Sequence, residues 1–120
     1  MTISGTVADG VLTNPKFTIR GTGFGKRPAP SFSDPCGYTG NVYASFSFHD
    51  LTPDWFAGGV GTGGSYPDCI GLTKLVWKGG KIKFDFGSGY GRSQTPVWRM
   101  SPGDSYVVTV GSASFDGTVP

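Results

Sequence analysis

The stretch KIKFDF, residues 81–86, indicates the fold class of this chain most directly. Its isoleucine and two phenylalanines alternate with two lysines and an aspartate, so every second side chain is apolar. Successive side chains of a β-strand point to opposite faces of the sheet, and this period of two therefore predicts a half-buried strand. The preceding KGG at 78–80 predicts a turn, and LVW at 75–77 is then predicted to be the hairpin partner.

Alternation of the same kind recurs along the chain. The run VYASFSFH, residues 42–49, predicts one strand whose apolar face carries Val42, Ala44, Phe46 and Phe48. Its polar face is predicted to carry Tyr43, Ser45, Ser47 and His49. Pro-Gly at 102–103 suits a type II turn that leads into another strand. Further strands are predicted at residues 2–8, 16–20, 96–100, 106–110 and 112–115.

A single helical turn is the only helix that the sequence suggests. The run LTPDWF, residues 51–56, offers Thr52 as an N-cap, Pro53 at the first helical position and Asp54 in the first turn. The glycines that follow end this helix within about one turn.

The composition also favours β-structure. The 120 residues include 21 glycines, 9 prolines, 9 phenylalanines, 5 tyrosines and 3 tryptophans, and no glutamate. Glycine and proline disfavour helix interiors, whereas aromatic residues favour strands. A chain of this length suits one domain with one core. We therefore predict an all-β protein: a single antiparallel β-sandwich over residues 1–120, immunoglobulin-like or jelly-roll-like, with glycine-rich loops.

Charge and hydropathy give no sign of a nucleic-acid or membrane partner. Ten basic and eight acidic residues leave a formal net charge of +2, and they are spread without a run of like charges. No segment has the length and apolar character of a membrane span. The N-terminal MTISGTVADGVL lacks the basic start and apolar run of a secretory signal. The sequence thus predicts a soluble protein that binds neither nucleic acid nor membrane.

Cys36 and Cys69 are the two cysteines, and the sequence leaves their state open. One disulfide between them would stabilise the fold by about 3–4 kcal/mol in the chain-entropy model. Two reduced, buried thiols are equally compatible with their spacing. The lack of a visible secretion signal favours the reduced state.

Two hexapeptides combine glycines with an aromatic residue and a base. In FTIRGTGFGKRPAP, residues 17–30, three glycines precede a lysine and suggest a phosphate-binding loop. The Walker spacing is one residue short, however, and RPAP excludes the helix that a phosphate loop or a dinucleotide fingerprint needs. Instead, GTGFGK at 21–26 recurs as GSGYGR at 87–92, each time after a strand. We call these hexapeptides the first and second glycine turns.

The glycine turns have two interpretations. Phe24 and Tyr90 either fold back onto the core or, together with Lys26 and Arg92, form exposed contact points for a partner. In the second interpretation, all four residues should lie together at one end or edge of the sandwich. Tyr90 is then the stronger contact candidate, because its hydroxyl suits a half-exposed position.

Residues 15–35 resemble the opening strand and turn of IPT/TIG-type immunoglobulin-like domains, in which a T-I-x-G-x-G-F-G run is common. They are also similar to the openings of some phage virion and bacterial surface proteins, in which that run precedes a Pro/Ala stretch and an Asp-containing segment, as in PAPSFSDP here. The resemblance implies a β-sandwich that serves as a spacer or binding module on a larger object. It implies no catalytic residues.

No residue pattern predicts an enzyme, a metal site or a cofactor. The only histidine, His49, lies beside Asp50 but has no G-x-S-x-G elbow to accompany it, so a solvent-facing or turn-capping role is predicted. The aspartates show no recognisable acid/base pair, and the cysteines lack zinc-ligand spacing. Calcium binding through Asp50, Asp54 and Asp68 is supported by no loop motif.

Two non-enzymatic functions remain. The first is an accessory protein, for decoration or attachment, on the virion surface of a phage capsid or tail, where it binds a protein of the assembly or a further copy of itself. The second is a carbohydrate-binding or lectin-like module, extracellular or on a cell surface, whose exposed rings stack on glycans. The candidate contact residues are Phe24, Lys26, Tyr90, Arg92, Trp55 and Tyr66.

Overall fold

The computed structural model describes residues 2–59, 68–92 and 98–120, and its regular structure in these ranges consists of ten strands and one 3-10 turn. The 3-10 turn covers Pro35–Gly37. The strands are β1 (Thr2–Ala8), β2 (Val11–Arg20), β3 (Phe32–Ser33), β4 (Asn41–Val42), β5 (Phe46–Asp50), β6 (Trp55–Ala57), β7 (Leu72–Lys78), β8 (Lys81–Phe86), β9 (Ser105–Val110) and β10 (Ala113–Thr118).

The strands form two antiparallel sheets that pack as a β-sandwich, as the sequence predicts. The larger sheet has the strand order β1-β2-β8-β7-β4-β3, and the smaller one has the order β10-β9-β5-β6. The hairpin predicted from KIKFDF is confirmed, because β8 pairs with β7 across a turn at 79–80. The turn predicted at Pro-Gly is also confirmed, since the amide of Asp104 donates to the carbonyl of Ser101 and Gly103 has a φ of 94°.

Aromatic rings from both sheets fill the space between them. Phe17 and Phe84, on neighbouring strands of the larger sheet, stack with their ring centroids 4.6 Å apart. From the smaller sheet, Phe48 lies 5.3 Å from Phe17 and Phe46 lies 5.2 Å from Phe84. All four rings are fully buried, so the alternating residues of β2, β5 and β8 form the centre of the core.

The run 42–49 does not form the single strand that its alternation predicts. β4 ends at Val42 in the larger sheet, and β5 begins at Phe46 in the smaller sheet. A tight turn at 44–45 joins them, and Tyr43 and Phe46 form a bridge across it. Because the chain crosses from one sheet to the other here, Tyr43 turns into the core and is buried, in contrast to the polar face predicted for it.

The prediction of a helical turn at 51–56 is also wrong. Residues 51–54 form the turn of a hairpin between β5 and β6, in which Asp50 pairs with Trp55. The hydroxyl of Thr52 accepts a hydrogen bond from the amide of Ser105, 3.1 Å away, and so joins β9 to this turn instead of capping a helix. Pairing with the neighbouring strand decides the local structure here, and it overrides a weak helix-start signal.

The strand expected at 96–100 is not found among its described residues. Residues 98–100 lie outside the strands, whereas 96–97 lie outside the described ranges. The carbonyl of Met100 accepts a hydrogen bond from the amide of Leu12. This segment therefore binds the start of β2 through a single backbone contact and not as a strand of either sheet.

Cys36 and Cys69 form a disulfide, so the expectation of two reduced, buried thiols is wrong. Their Cα atoms lie 5.4 Å apart, and Cys36 is exposed. The bond ties the 3-10 turn after β3 to the segment that precedes β7. The expectation of free thiols rested on the missing secretion signal, which carries no information about the distance between the two residues. In the described ranges, no helix has the length and apolar character needed to cross a membrane.

Candidate functional site

The two glycine turns lie at opposite ends of the larger sheet. The first follows β2 and the second follows β8, and these two strands are antiparallel neighbours in which Arg20 pairs with Lys81 and Lys16 pairs with Asp85. Neighbouring strands that run in opposite directions have their C-terminal ends at opposite ends of the sheet. The prediction that the two turns form one paired contact element at one end is therefore wrong.

In the first glycine turn, the aromatic ring packs against the core. Phe24 is half-buried and lies edge-on to Trp77, with ring centroids 6.4 Å apart. The indole N–H of Trp77 donates to the carbonyl of Gly25 over 3.0 Å, and Gly25 has a φ of 74° that favours glycine. Lys26 is exposed. This turn therefore offers an exposed cation, while its ring serves mainly to close the end of the core.

In the second glycine turn, Tyr90 connects three segments of the fold. Its hydroxyl donates to the carbonyl of Leu12 over 2.6 Å and accepts from the amide of Met100 over 2.8 Å. The ring packs against Phe86 and Trp55 at 5.3 and 5.9 Å between centroids. Burial raises the pKa of Tyr90 to about 12. The hydroxyl that we expected to face a partner is thus used within the fold.

Arg92, the base of the second glycine turn, is held in place but keeps its charge exposed. Its Nε donates to the carbonyl of Ser88 over 2.9 Å, and its guanidinium lies 5.8 Å from the centre of the Tyr38 ring. Ser88 and Thr39 also exchange two hydrogen bonds of 2.9 Å between their amides and hydroxyls. The turn is therefore docked firmly onto the loop that precedes β4.

A groove of about 520 Å³ runs between the first half of β2 and the second glycine turn. It exists because β2 pairs with β8 only from Lys16 to Arg20, which leaves residues 11–15 without β8 beside them. Arg92 lies on this groove, and so does Arg99, whose Nη2 donates to the carbonyl of Gly91 over 3.2 Å. In the part of the chain that the structure describes, neither guanidinium forms an ion pair with a carboxylate.

Trp55 is not a contact residue, in contrast to the prediction from the sequence. Its side chain is 0% exposed, and its indole N–H donates to the carbonyl of Arg99 over 3.2 Å. Its position on the short edge strand β6 turns it inwards, against Phe48 and Tyr90. The remaining candidate, Tyr66, lies outside the described residues.

A buried carboxyl pair lies behind Tyr90. Asp50 is 0% exposed and accepts a hydrogen bond from the amide of Thr52 over 3.1 Å. Its carboxyl also shares a hydrogen bond with Asp104, which is 7% exposed and accepts from the amide of Ser101 over 2.9 Å. Burial, followed by the neighbouring Asp104, raises the pKa of Asp50 to about 8. A pKa of about 8 favours the protonated form of Asp50 at neutral pH, beside the carboxyl of Asp104.

Sequence reasoning missed this pair. The sequence predicts Asp104 to be a turn residue. This is confirmed, because its side chain and amide both bond Ser101 across the turn at 101–104. Asp50 is a polar residue at the end of a strand, and Asp104 lies 54 positions further along the chain, so no spacing pattern connects them. Only the pairing of β5 with β9 brings the two carboxyls together.

His49 has the turn-capping position that the sequence predicts. Its Nε2 lies 2.8 Å from an Asp54 carboxylate oxygen, across the turn between β5 and β6, and its ring stacks on Phe56 with centroids 3.8 Å apart. Asp68 accepts from the amide of Phe56 over 2.7 Å. Within the described ranges, no three His, Cys, Asp or Glu side chains form a group that could hold a metal ion.

No protein-family model, curated protein or solved structure matches this chain. The resemblance of residues 15–35 to IPT/TIG-type openings therefore stays a prediction from the sequence. The groove beside the second glycine turn combines a concave surface with the exposed side chains of Arg92 and Arg99.

Proposed function

We propose that this chain is a non-enzymatic binding module, and that its groove holds a carboxylate-bearing segment of a partner protein. One observation carries the proposal. Arg92 and Arg99 lie on the same groove, both are exposed, and neither has a carboxylate partner among the described residues. Exposed guanidiniums that share a concave surface are suited to bind carboxylates through paired, charge-assisted hydrogen bonds.

Within the described ranges, the hydrogen bonds of the fold leave most of the donors of each guanidinium free. A guanidinium has five N–H donors, and Arg92 and Arg99 each use one of them on a backbone carbonyl. That single bond also limits the rotation of a long side chain, so less conformational entropy is lost when a ligand binds. The groove is therefore partly organised for a carboxylate before the ligand arrives.

The walls of the groove favour a peptide over a sugar. Sugar-binding sites depend on exposed rings, yet the aromatic residues that line the groove, Phe86 and Tyr90, are both half-buried and pack against the core. Residues 11–15 line the groove without β8 beside them, but Asn14 has a φ of 48°, and the amide and carbonyl of Leu12 are already bonded to Met100 and Tyr90. A peptide would therefore be held through its side chains and not as an added strand. The half-buried rings of the groove weaken the carbohydrate-binding alternative. Attachment to the surface of a phage capsid or tail stays a prediction from the sequence.

The proposal can be tested by titration with model peptides, followed through backbone amide signals in NMR spectra. An acetylated tetra-aspartate peptide should shift the amides of residues 11–14 and 87–92, and tetra-asparagine should not. Arg92→Gln and Arg99→Gln should each weaken binding by about 10- to 150-fold, because each removes a charge-assisted hydrogen bond worth roughly 1.5–3 kcal/mol. Arg27→Gln, an equal change of charge at an exposed loop residue, is the matched control.

Two results would contradict this function. One is an equal response to tetra-asparagine, which would show that charge does not drive the contact. The other is an equal loss of binding in Arg27→Gln, which would show attraction to the net charge of the protein and not to the groove.

A further inference from the structure

We propose that two copies of this chain associate through β1, with the two β1 strands antiparallel about a twofold axis at Gly5. The pairing would join two six-stranded sheets into one continuous sheet across the dimer. This inference does not depend on the arginine groove, because it rests on a different surface, the outer edge of the larger sheet.

The edge formed by β1 is open. In the described ranges, β1 has a ladder partner on one side only, and six of its seven residues are exposed. A strand directs alternate N–H and C=O groups to its two sides, so the groups on the outer side of β1 face away from β2. Natural edge strands commonly carry proline or charged residues such as lysine, which prevent pairing with a strand of another molecule. The β1 sequence TISGTVA contains neither proline nor a charged residue.

The β1–β2 pairing contains a β-bulge, but the bulge does not interrupt β1 itself. Ser4 pairs with Lys16 and Thr6 pairs with Thr13, so Gly5 alone in β1 lies opposite two residues of β2. The extra residue is therefore in β2, where Asn14 has a φ of 48°. β1 itself runs on without an insertion and can present a regular ladder to a second strand.

The other edges are less suitable. β3 and β6 contain two and three residues, which is too short for a stable ladder. β10 has six residues but carries Asp116, a charge of the kind that prevents pairing between edges. β1 is thus the one described edge that is both long and uncharged.

The sequence of β1 is complementary to itself in the antiparallel direction. An axis at Gly5 places Ile3 opposite Val7 of the second copy and Ser4 opposite its Thr6. These are pairs of β-branched and of hydroxyl side chains, which stabilise antiparallel ladders. Val7 is 53% exposed, the most exposed large apolar side chain of the described residues, and the pairing would cover it. A twofold contact of this kind uses the same patch on both copies and closes as a dimer.

The dimer should be weak, because a single ladder of seven residues is a small interface. We expect a dissociation constant on the order of 10–100 µM, within the range of transient contacts. Sedimentation equilibrium between about 10 µM and 1 mM should therefore show a rise from the monomer mass of 12.6 kDa towards twice that mass.

Paired charge substitutions test the register. In S4D/T6D, the proposed axis places the new carboxylate at position 4 opposite the one at position 6 of the other copy, twice per dimer. The dissociation constant should then rise about tenfold at low salt. In S4D/T6K the same positions carry opposite charges, and the constant should stay within about threefold of the natural chain. Ser114→Asp, on the exposed edge β10, should leave it unchanged.

In both double variants the carboxylate introduced at position 4 lies beside Lys16 of the same chain, so the fold should be preserved. Thermal unfolding at low protein concentration checks that both variants are folded. A natural chain that stays monomeric at about 1 mM would overturn the proposal. Equal weakening in S4D/T6D and S4D/T6K would overturn the register at Gly5. A loss of the dimer in Ser114→Asp would indicate that the contact is formed by β10, and this would also contradict the proposal.

Discussion

The buried proton on Asp50 should make the stability of this protein fall as pH rises. Asp50 has a pKa of about 8 in the folded chain because it is buried and lies beside Asp104, whereas the ordinary value of 3.8 applies when the chain unfolds. Between these two values the folded state holds a proton that the unfolded state has lost. Proton binding to the folded state then favours folding at the lower pH, and this contribution is lost as pH rises from about 4 to about 8.

The expected magnitude follows from the number of protons. One proton that is held only by the folded state changes the free energy of unfolding by about 1.4 kcal/mol for each pH unit. Asp50 should therefore make the natural chain about 2–3 kcal/mol more stable at pH 5 than at pH 7. Burial also raises the pKa of Asp68, which adds a contribution of the same sign. A variant is needed to separate the two groups.

Asp50→Asn provides that separation. The asparagine carbonyl can accept from the amide of Thr52, as the carboxyl does, and its amide can donate to Asp104 in place of the proton. We expect the variant to fold and to lose most of the difference between pH 5 and pH 7, because its side chain does not titrate. Asp9→Asn is the matched control, since Asp9 is exposed and its φ of 53° is one that asparagine tolerates.

The measurement is urea-induced unfolding at pH 5, 6 and 7, with the disulfide intact, for the natural chain and both variants. The quantity compared is the change in the free energy of unfolding between pH 5 and pH 7. If Asp50→Asn keeps the same change as the natural chain, the proton does not reside on Asp50. If Asp9→Asn removes the change, a general charge effect is responsible, and the reasoning from burial is refuted.

Two further predictions concern stability. Tyr90→Phe should lower the free energy of unfolding by about 2–3 kcal/mol, because it leaves two backbone groups without their hydrogen bonds, and thermal unfolding measures this loss. The control is Tyr38→Phe, since the hydroxyl of Tyr38 makes no hydrogen bond within the described ranges, and an equal loss of stability in this variant would contradict the prediction. Replacing Cys36 and Cys69 together with serine should cost about 3–4 kcal/mol, because the unfolded chain is no longer crosslinked. Reducing agent should shift the natural chain by the same amount, and a shift below about 1 kcal/mol would show that the bond contributes little.

Local patterns in the chain were sufficient to predict the fold class and two of its turns. The alternation in 81–86 requires only that one face of a strand be buried, and the turn at 79–80 connects that strand to its neighbour along the chain. The turn at Pro102-Gly103 depends on two adjacent residues. These features could be predicted because the interactions that decide them lie within a few residues of each other.

Features that depend on the order of the strands became visible only in the folded chain. A period of two shows that a face is buried but not which sheet covers it, so 42–49 reads as one strand although it crosses between two sheets. The glycine turns look alike in sequence, yet the antiparallel pairing of β2 with β8 places them at opposite ends. Asp50 meets Asp104 because β5 pairs with β9, and Cys36 meets Cys69 because the fold brings distant loops together. Such contacts join residues that are far apart in the chain, and no local preference encodes them.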